Sequence, residues 1–83
     1  MTFQGSVITE QGVTFAVMLV QEYVVDSPTE RDNTLAWATR FFCVPTVLMT
    51  DRRYRTWGRP DIVNFLTNVH PSRIPWRRYT VAA

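Results

Sequence analysis

The chain reads as a single small α/β or α+β domain spanning residues 1–83, a two-layer sandwich of a mixed sheet with two helices in the element order ββαββαβ. Three observations lead there. Two nearly unbroken apolar runs of strand length, Val13–Val20 and Val44–Met49, have the pattern of strands covered on both faces. Between them stands a helix-start signal, Ser27-Pro28-Thr29-Glu30, and after them an apolar repeat at helical spacing, Ile62, Phe65, Leu66 and Val69. Helices alternating with strands in a chain of 83 residues call for one sheet and one domain.

Taken in order, residues 2–10 are moderately apolar, with Val7 and Ile8 near their end. Gln11-Gly12 then supplies a turn tolerant of positive φ, which predicts a hairpin into Val13. Val13–Val20 is the expected central strand, continuing through Tyr23-Val24-Val25. In the helix-start signal, Ser27 is the expected N-cap, Pro28 the first helical residue and Glu30 the third, the parts of a reciprocal capping box. The helix should run to about Phe42, burying Thr34, Leu35, Trp37, Ala38, Phe41 and Phe42 and leaving Arg31, Asp32 and Arg40 to solvent.

In Val44–Met49, Pro45 falls at the start, where a missing donor does least harm. Asp51-Arg52-Arg53 turns the chain into a more polar strand, Tyr54–Trp57. Gly58-Arg59-Pro60-Asp61 opens a second helix of about three turns, ended by His70-Pro71, and Trp76–Val81 is the last strand. A ferredoxin-like order would put the polar strand inside the sheet and Val44–Met49 at its edge. Polarity favours the reverse, with the apolar runs central and the arginine-rich strand at an edge. If the strands flanking the first helix are parallel neighbours, their crossover should be right-handed.

Composition narrows the chemistry. All nine basic residues are arginine and none is lysine, a bias that codon usage in a GC-rich genome produces without selection for phosphate. The missing lysine excludes a P-loop and Schiff-base catalysis. One cysteine, Cys43, precludes an intrachain disulfide and an all-thiolate zinc site. No EF-hand, HExxH or glycine-rich phosphate loop is present. We therefore expect no cofactor and no bound metal. The first residues lack a basic n-region and the longest apolar run falls far short of a membrane span, so we expect a cytoplasmic protein with no membrane partner.

Cys43-Val44-Pro45-Thr46 resembles the stretch before a strand in thioredoxin-like proteins, where a cis-proline lies beside the redox site. The resemblance covers about six residues and no CxxC motif accompanies it. Cys43 is instead expected to be a buried small apolar residue. His70 is the sole histidine, expected as a surface or capping group.

Charge is uneven: residues 1–50 hold two Arg against five acids, and residues 51–83 hold seven Arg against two. The surplus clusters with aromatics in DRRYRTWGR and PWRRYT. Arg53, Arg55, Trp57, Arg59, Trp76, Arg77, Arg78 and Tyr79 are the candidate binding residues, since Trp, Tyr and Arg predominate at interface hot spots. Period-two alternation puts Arg53, Arg55 and Trp57 on one face of their strand, and Arg77, Tyr79 and Val81 opposite Trp76, Arg78 and Thr80 on theirs. The leading expectation is a non-catalytic module that binds a protein partner or forms a homodimer. An alternative is a small enzyme or accessory subunit with Cys43, His70 and Arg59 in one pocket. A second alternative is weak nucleic-acid or nucleotide binding, with Arg59 at a helix start.

Overall fold

The computed structural model describes residues 1–82, in which one five-stranded mixed sheet runs through the whole molecule. Strand β1 (Thr2–Glu10) turns through Gln11-Gly12 into β2 (Val13–Val20). Both turn residues have positive φ, 50° and 79°, the geometry that matches the twist of a tight antiparallel hairpin. Helices α1 (Glu22–Asp26) and α2 (Pro28–Phe42) carry the chain to β3 (Thr46–Thr50), which lies parallel to β2 with Val17 opposite Val47. A short β4 (Thr56–Trp57) turns back antiparallel to β3. Helix α3 (Pro60–Leu66) and a 3-10 turn (Pro71–Arg73) then lead to β5 (Arg77–Thr80), antiparallel to β1. The sheet order is β4-β3-β2-β1-β5. The fold is of the α+β class, and its element order follows the expected one with α1 added. The apolar runs are central and the arginine-rich strands are peripheral.

Alternation along β2 and β3 divides the core in two. Phe15, Val17, Val47 and Met49 point to one face and pack against Ile62 and Leu66 of α3 and against Ile74. Met18, Val20 and Leu48 point to the other, joining Phe3, Val24 of α1 and Ala38 of α2. The helices thus cover opposite faces, so the sandwich has a helical layer on each side of the sheet where the sequence suggests one. A parallel β2–β3 pair needs a helical crossover on one face. The apolar residues of the other face then need α3.

Four local features differ from the sequence-based expectation. Tyr23-Val24-Val25 belongs to α1 and not to an extended β2, since the chain must leave the sheet at Val20 to cross its face. Ser27 does cap α2, but its side chain makes no capping bond. It also closes α1, donating its backbone N–H to Tyr23 O at 3.1 Å, so the donor that Glu30 would accept is already used. Residues 51–54 form a turn, with Tyr54 at φ 56°, which shortens the expected strand to Thr56–Trp57. Helix α3 ends at Leu66, where Thr67 Oγ1 and Asn68 Nδ2 both donate to Asn64 O. Val69 still packs against the core.

Gly58 shows how closely β4 approaches its neighbour. Its φ is 155°, and a Cβ there would lie 2.9 Å from Val47 Cγ2 and 3.2 Å from Thr46 O. Gly12, by contrast, has positive φ but open space around it. We expect Gly12→Ala to cost about 1 kcal/mol, from backbone strain alone. Gly58→Ala should cost about 3 kcal/mol, because crowding against β3 adds to strain. Urea unfolding of the two variants checks this, and equal losses would contradict the close packing of β4.

Candidate functional site

The first arginine cluster is held by contacts within the chain. Arg55 follows the β3–β4 turn, where its N–H donates to Thr50 Oγ1 at 2.8 Å and its carbonyl accepts from Thr50 N at 2.9 Å. Its side chain reaches α1, donating through Nε and Nη2 to Glu22 Oε1 at 3.1 and 2.9 Å and through Nη1 to Asp26 Oδ1 at 2.8 Å. The other oxygen of Glu22 accepts from the backbone N–H groups of Arg52 and Arg53 at 3.2 and 2.9 Å. One carboxylate thereby fastens the turn to the start of α1.

Partial desolvation pushes the Glu22 carboxyl up, but hydrogen bonds from Arg53 N–H, Thr50, Arg55 and Arg52 N–H outweigh it and bring the pKa from 4.5 to about 2. The Arg55 hydrogen bond likewise lowers Asp26. Trp57 shares the α1/α2 face with Arg55, as alternation predicts, and Arg31 lies over its ring with Cζ 3.8 Å from the centroid. The helical spacing assigns Arg31 to solvent; it is instead half-buried, offset by a cation–π contact. Arg59 makes a two-pronged bond to Asp61 at 2.8 and 2.9 Å.

The second cluster is different. Tyr79 stacks on Phe3 with centroids 5.4 Å apart and meets Phe41 and Phe42 edge-on, so it belongs to the aromatic packing under α2. Trp76 packs on the α3 face and donates Nε1–H to Pro71 O at 3.1 Å. Arg77 and Arg78 are exposed and make no ion pair among the described residues, and neither does Arg53. The two clusters are not side by side. They lie on β4 and β5, the opposite edges of the sheet, about 19 Å apart across four strand spacings.

Strand β5 covers β1 only from Thr2 to Gly5. At that point the chain departs through Pro75–Trp76, and the outer edge of Ser6–Glu10 has no strand partner among the described residues. The fork between the two segments is an open cleft of about 480 Å³ lined by Ser6, Val7, Pro75, Trp76, Arg77 and Tyr79. Ser6 is 1% exposed, and its hydroxyl is the only buried side-chain polar atom without a hydrogen-bond partner among the described residues. Val7 on the opposite face is 48% exposed. Sequence reasoning finds Trp76, Arg77 and Tyr79 from their residue types. It misses Ser6 because an isolated serine in a strand carries no signal until its neighbours are known.

Among the described residues, Cys43, His70 and Arg59 of the enzyme reading make side-chain hydrogen bonds only to residues near them in sequence. Cys43 is exposed, not buried as expected: it ends α2 in a left-handed conformation, φ 59°, and its Sγ contacts Arg40 O at 3.3 Å. The peptide bond before Pro45 is trans, unlike the thioredoxin-like cis-proline. His70 caps the 3-10 turn, its Nδ1 2.7 Å from Ser72 Oγ and accepting from Ser72 N at 3.2 Å. Helix α2 packs on one face of the sheet, whereas the segment after His70 packs on the other. Among the described residues, no helix is long and apolar enough to cross a membrane. No protein-family model, curated protein or solved structure matches the chain.

The Glu22 carboxylate gives a pH dependence of known sign. With a folded pKa of about 2 against 4.5, its contribution to stability is complete above pH 4.5 and is lost as pH falls from there toward 2. Unfolding midpoints measured across this window should fall steeply in the native chain and less steeply in Glu22→Gln, which should already be weaker at pH 7. Equal slopes would show that Glu22 is not what ties the β3–β4 turn to α1.

Proposed function

We propose that this chain is a non-catalytic protein-binding module that takes an extended strand onto the free edge of β1. The observation that carries the reading is the contrast between the two edges of the sheet. At β4 the edge is two residues long and is followed by Gly58, with Arg55 tied to α1 and Trp57 beneath Arg31. At β1 the stretch Ser6-Val7-Ile8-Thr9-Glu10 offers unpaired backbone, β-branched side chains and neither proline nor lysine to block an incoming strand. An exposed edge of this kind is the template on which main-chain hydrogen bonds supply affinity and flanking side chains supply selectivity. Trp76 and Arg77 stand where the added strand would meet the end of β5. A reducing, cytoplasmic setting suits the single free thiol at Cys43.

Amide hydrogen exchange tests the reading, with a short alternating threonine–valine peptide as probe. Saturating peptide should slow exchange at the outward-facing amides of Ser6–Glu10 and leave those of β4 unchanged. Protection confined to other segments, or none, overturns strand addition at this edge.

A further inference from the structure

Independently of strand addition at β1, we infer that the outer edge of β5 is a second docking edge, and that its partner is an extended acidic segment of another protein, two adjacent acids beside an apolar residue. The backbone is free to receive it. Met1 donates to Val81 O at 3.0 Å and Val81 N–H donates to Met1 O at 2.8 Å, so by alternation Arg77 and Tyr79 turn their N–H and C=O groups toward β1. Arg78 and Thr80 therefore turn theirs outward, where β5 ends the sheet.

Charge decides what can pair there. Arg77, in register with Gly5, lies on the α2 face with Tyr79, and Arg78, in register with Gln4, lies on the α3 face. Both are exposed, and neither makes an ion pair among the described residues. No acid stands on β5, on the facing stretch Thr2–Gly5 or on residues 34–42 of α2, and Arg40 adds a further exposed cation beside Phe41. A second β5 would set these arginines against their own kind, which opposes self-pairing. A strand with acids across from Arg77 and Arg78 instead forms one opposite-charge pair on each face. Its next residue, across from Tyr79, returns to the α2 face, where Phe41 is 39% exposed and meets Tyr79 with ring centroids 5.9 Å apart. An apolar side chain there would cover Phe41. Nucleic acid fits less well, because Tyr79 stacks on Phe3 and Phe41 on Trp37, so the rings that could take a base are already stacked.

Fluorescence anisotropy of a labelled, end-blocked peptide, Thr-Val-Glu-Glu-Val-Thr, tests this on the full chain; the peptide presents the same order of side chains in either strand direction. Its glutamine analogue, Thr-Val-Gln-Gln-Val-Thr, should bind about twentyfold more weakly. Arg77→Gln and Arg78→Gln should each weaken the acidic peptide about fivefold and leave the analogue unchanged. Added salt should weaken the acidic peptide alone, and amide exchange in the complex should slow at Arg78 and Thr80. Equal affinity for the two peptides, or no binding of either, overturns the inference. Protection at Val7 and Thr9 without Arg78 and Thr80 also overturns it while favouring strand addition at β1, so the two readings fail separately. An oligothymidylate that displaces the acidic peptide and loses more affinity in the same arginine variants would make this a nucleic-acid surface and overturn the acidic partner.

Discussion

The parallel pairing of β2 with β3 is the constraint from which the rest of the architecture follows. Both strands are buried on both faces, so their side chains demand cover above and below the sheet. Parallel neighbours cannot be joined by a tight turn, and the connection must cross one face as helix. Helices α1 and α2 make that crossing and close one half of the core. The other half is left to α3, which the chain reaches only after turning back through β4. The crossing helices also decide where charge can be held, because α1 and the first turn of α2 lie over the β3–β4 end of the sheet and bring Glu22, Asp26 and Arg31 to Arg55 and Trp57.

What the sequence discloses is governed by how local the cause is. The hairpin at Gln11-Gly12, the helix start at Pro28 and the apolar face of Ile62, Phe65 and Leu66 each rest on neighbours within a few residues, and all three are present. Tyr23-Val24-Val25 has a real β-forming tendency, and yet the segment is helical. Two distant causes overrule that tendency: the need to leave the sheet at Val20, and the bonds of Glu22 to partners about thirty residues further along the chain. Ile74 gives no signal either, because a lone isoleucine among Pro71, Arg73 and Pro75 has no period, yet it is buried under the α3 face. The candidate site is legible in residue type at Trp76, Arg77 and Tyr79. It is not legible as a place, since strand order alone separates those residues from Arg53, Arg55 and Trp57.

The uneven charge of the chain acquires a structural account. The acidic first part and the arginine-rich second part meet at the knot of Glu22 and Asp26 with Arg55, so part of the asymmetry is complementarity between segments distant in sequence. Arg59 finds its acid two residues away and Arg31 finds a ring. The arginines left without such partners include Arg77 and Arg78. Guanidinium chemistry is the same in both groups, and only position distinguishes a side chain that fixes a turn from one that is free to meet a second molecule.

The two edges of the sheet differ in a way that stability alone does not explain. A buried hydroxyl without an acceptor costs on the order of 1–3 kcal/mol, a substantial share of the margin by which a domain of this size stays folded. Alanine at position 6 would remove that cost without leaving a large void. An unprotected strand edge is a second liability, since a single lysine or proline between Val7 and Thr9 would suppress unwanted pairing. Both liabilities fall on the same five residues, whereas the opposite edge is only two residues long and no buried unpartnered hydroxyl lies on it among the described residues. The backbone of Val7–Thr9, short of a strand on its outer side, is what the proposed strand addition would satisfy, and the length of this edge sets it apart from the two-residue β4.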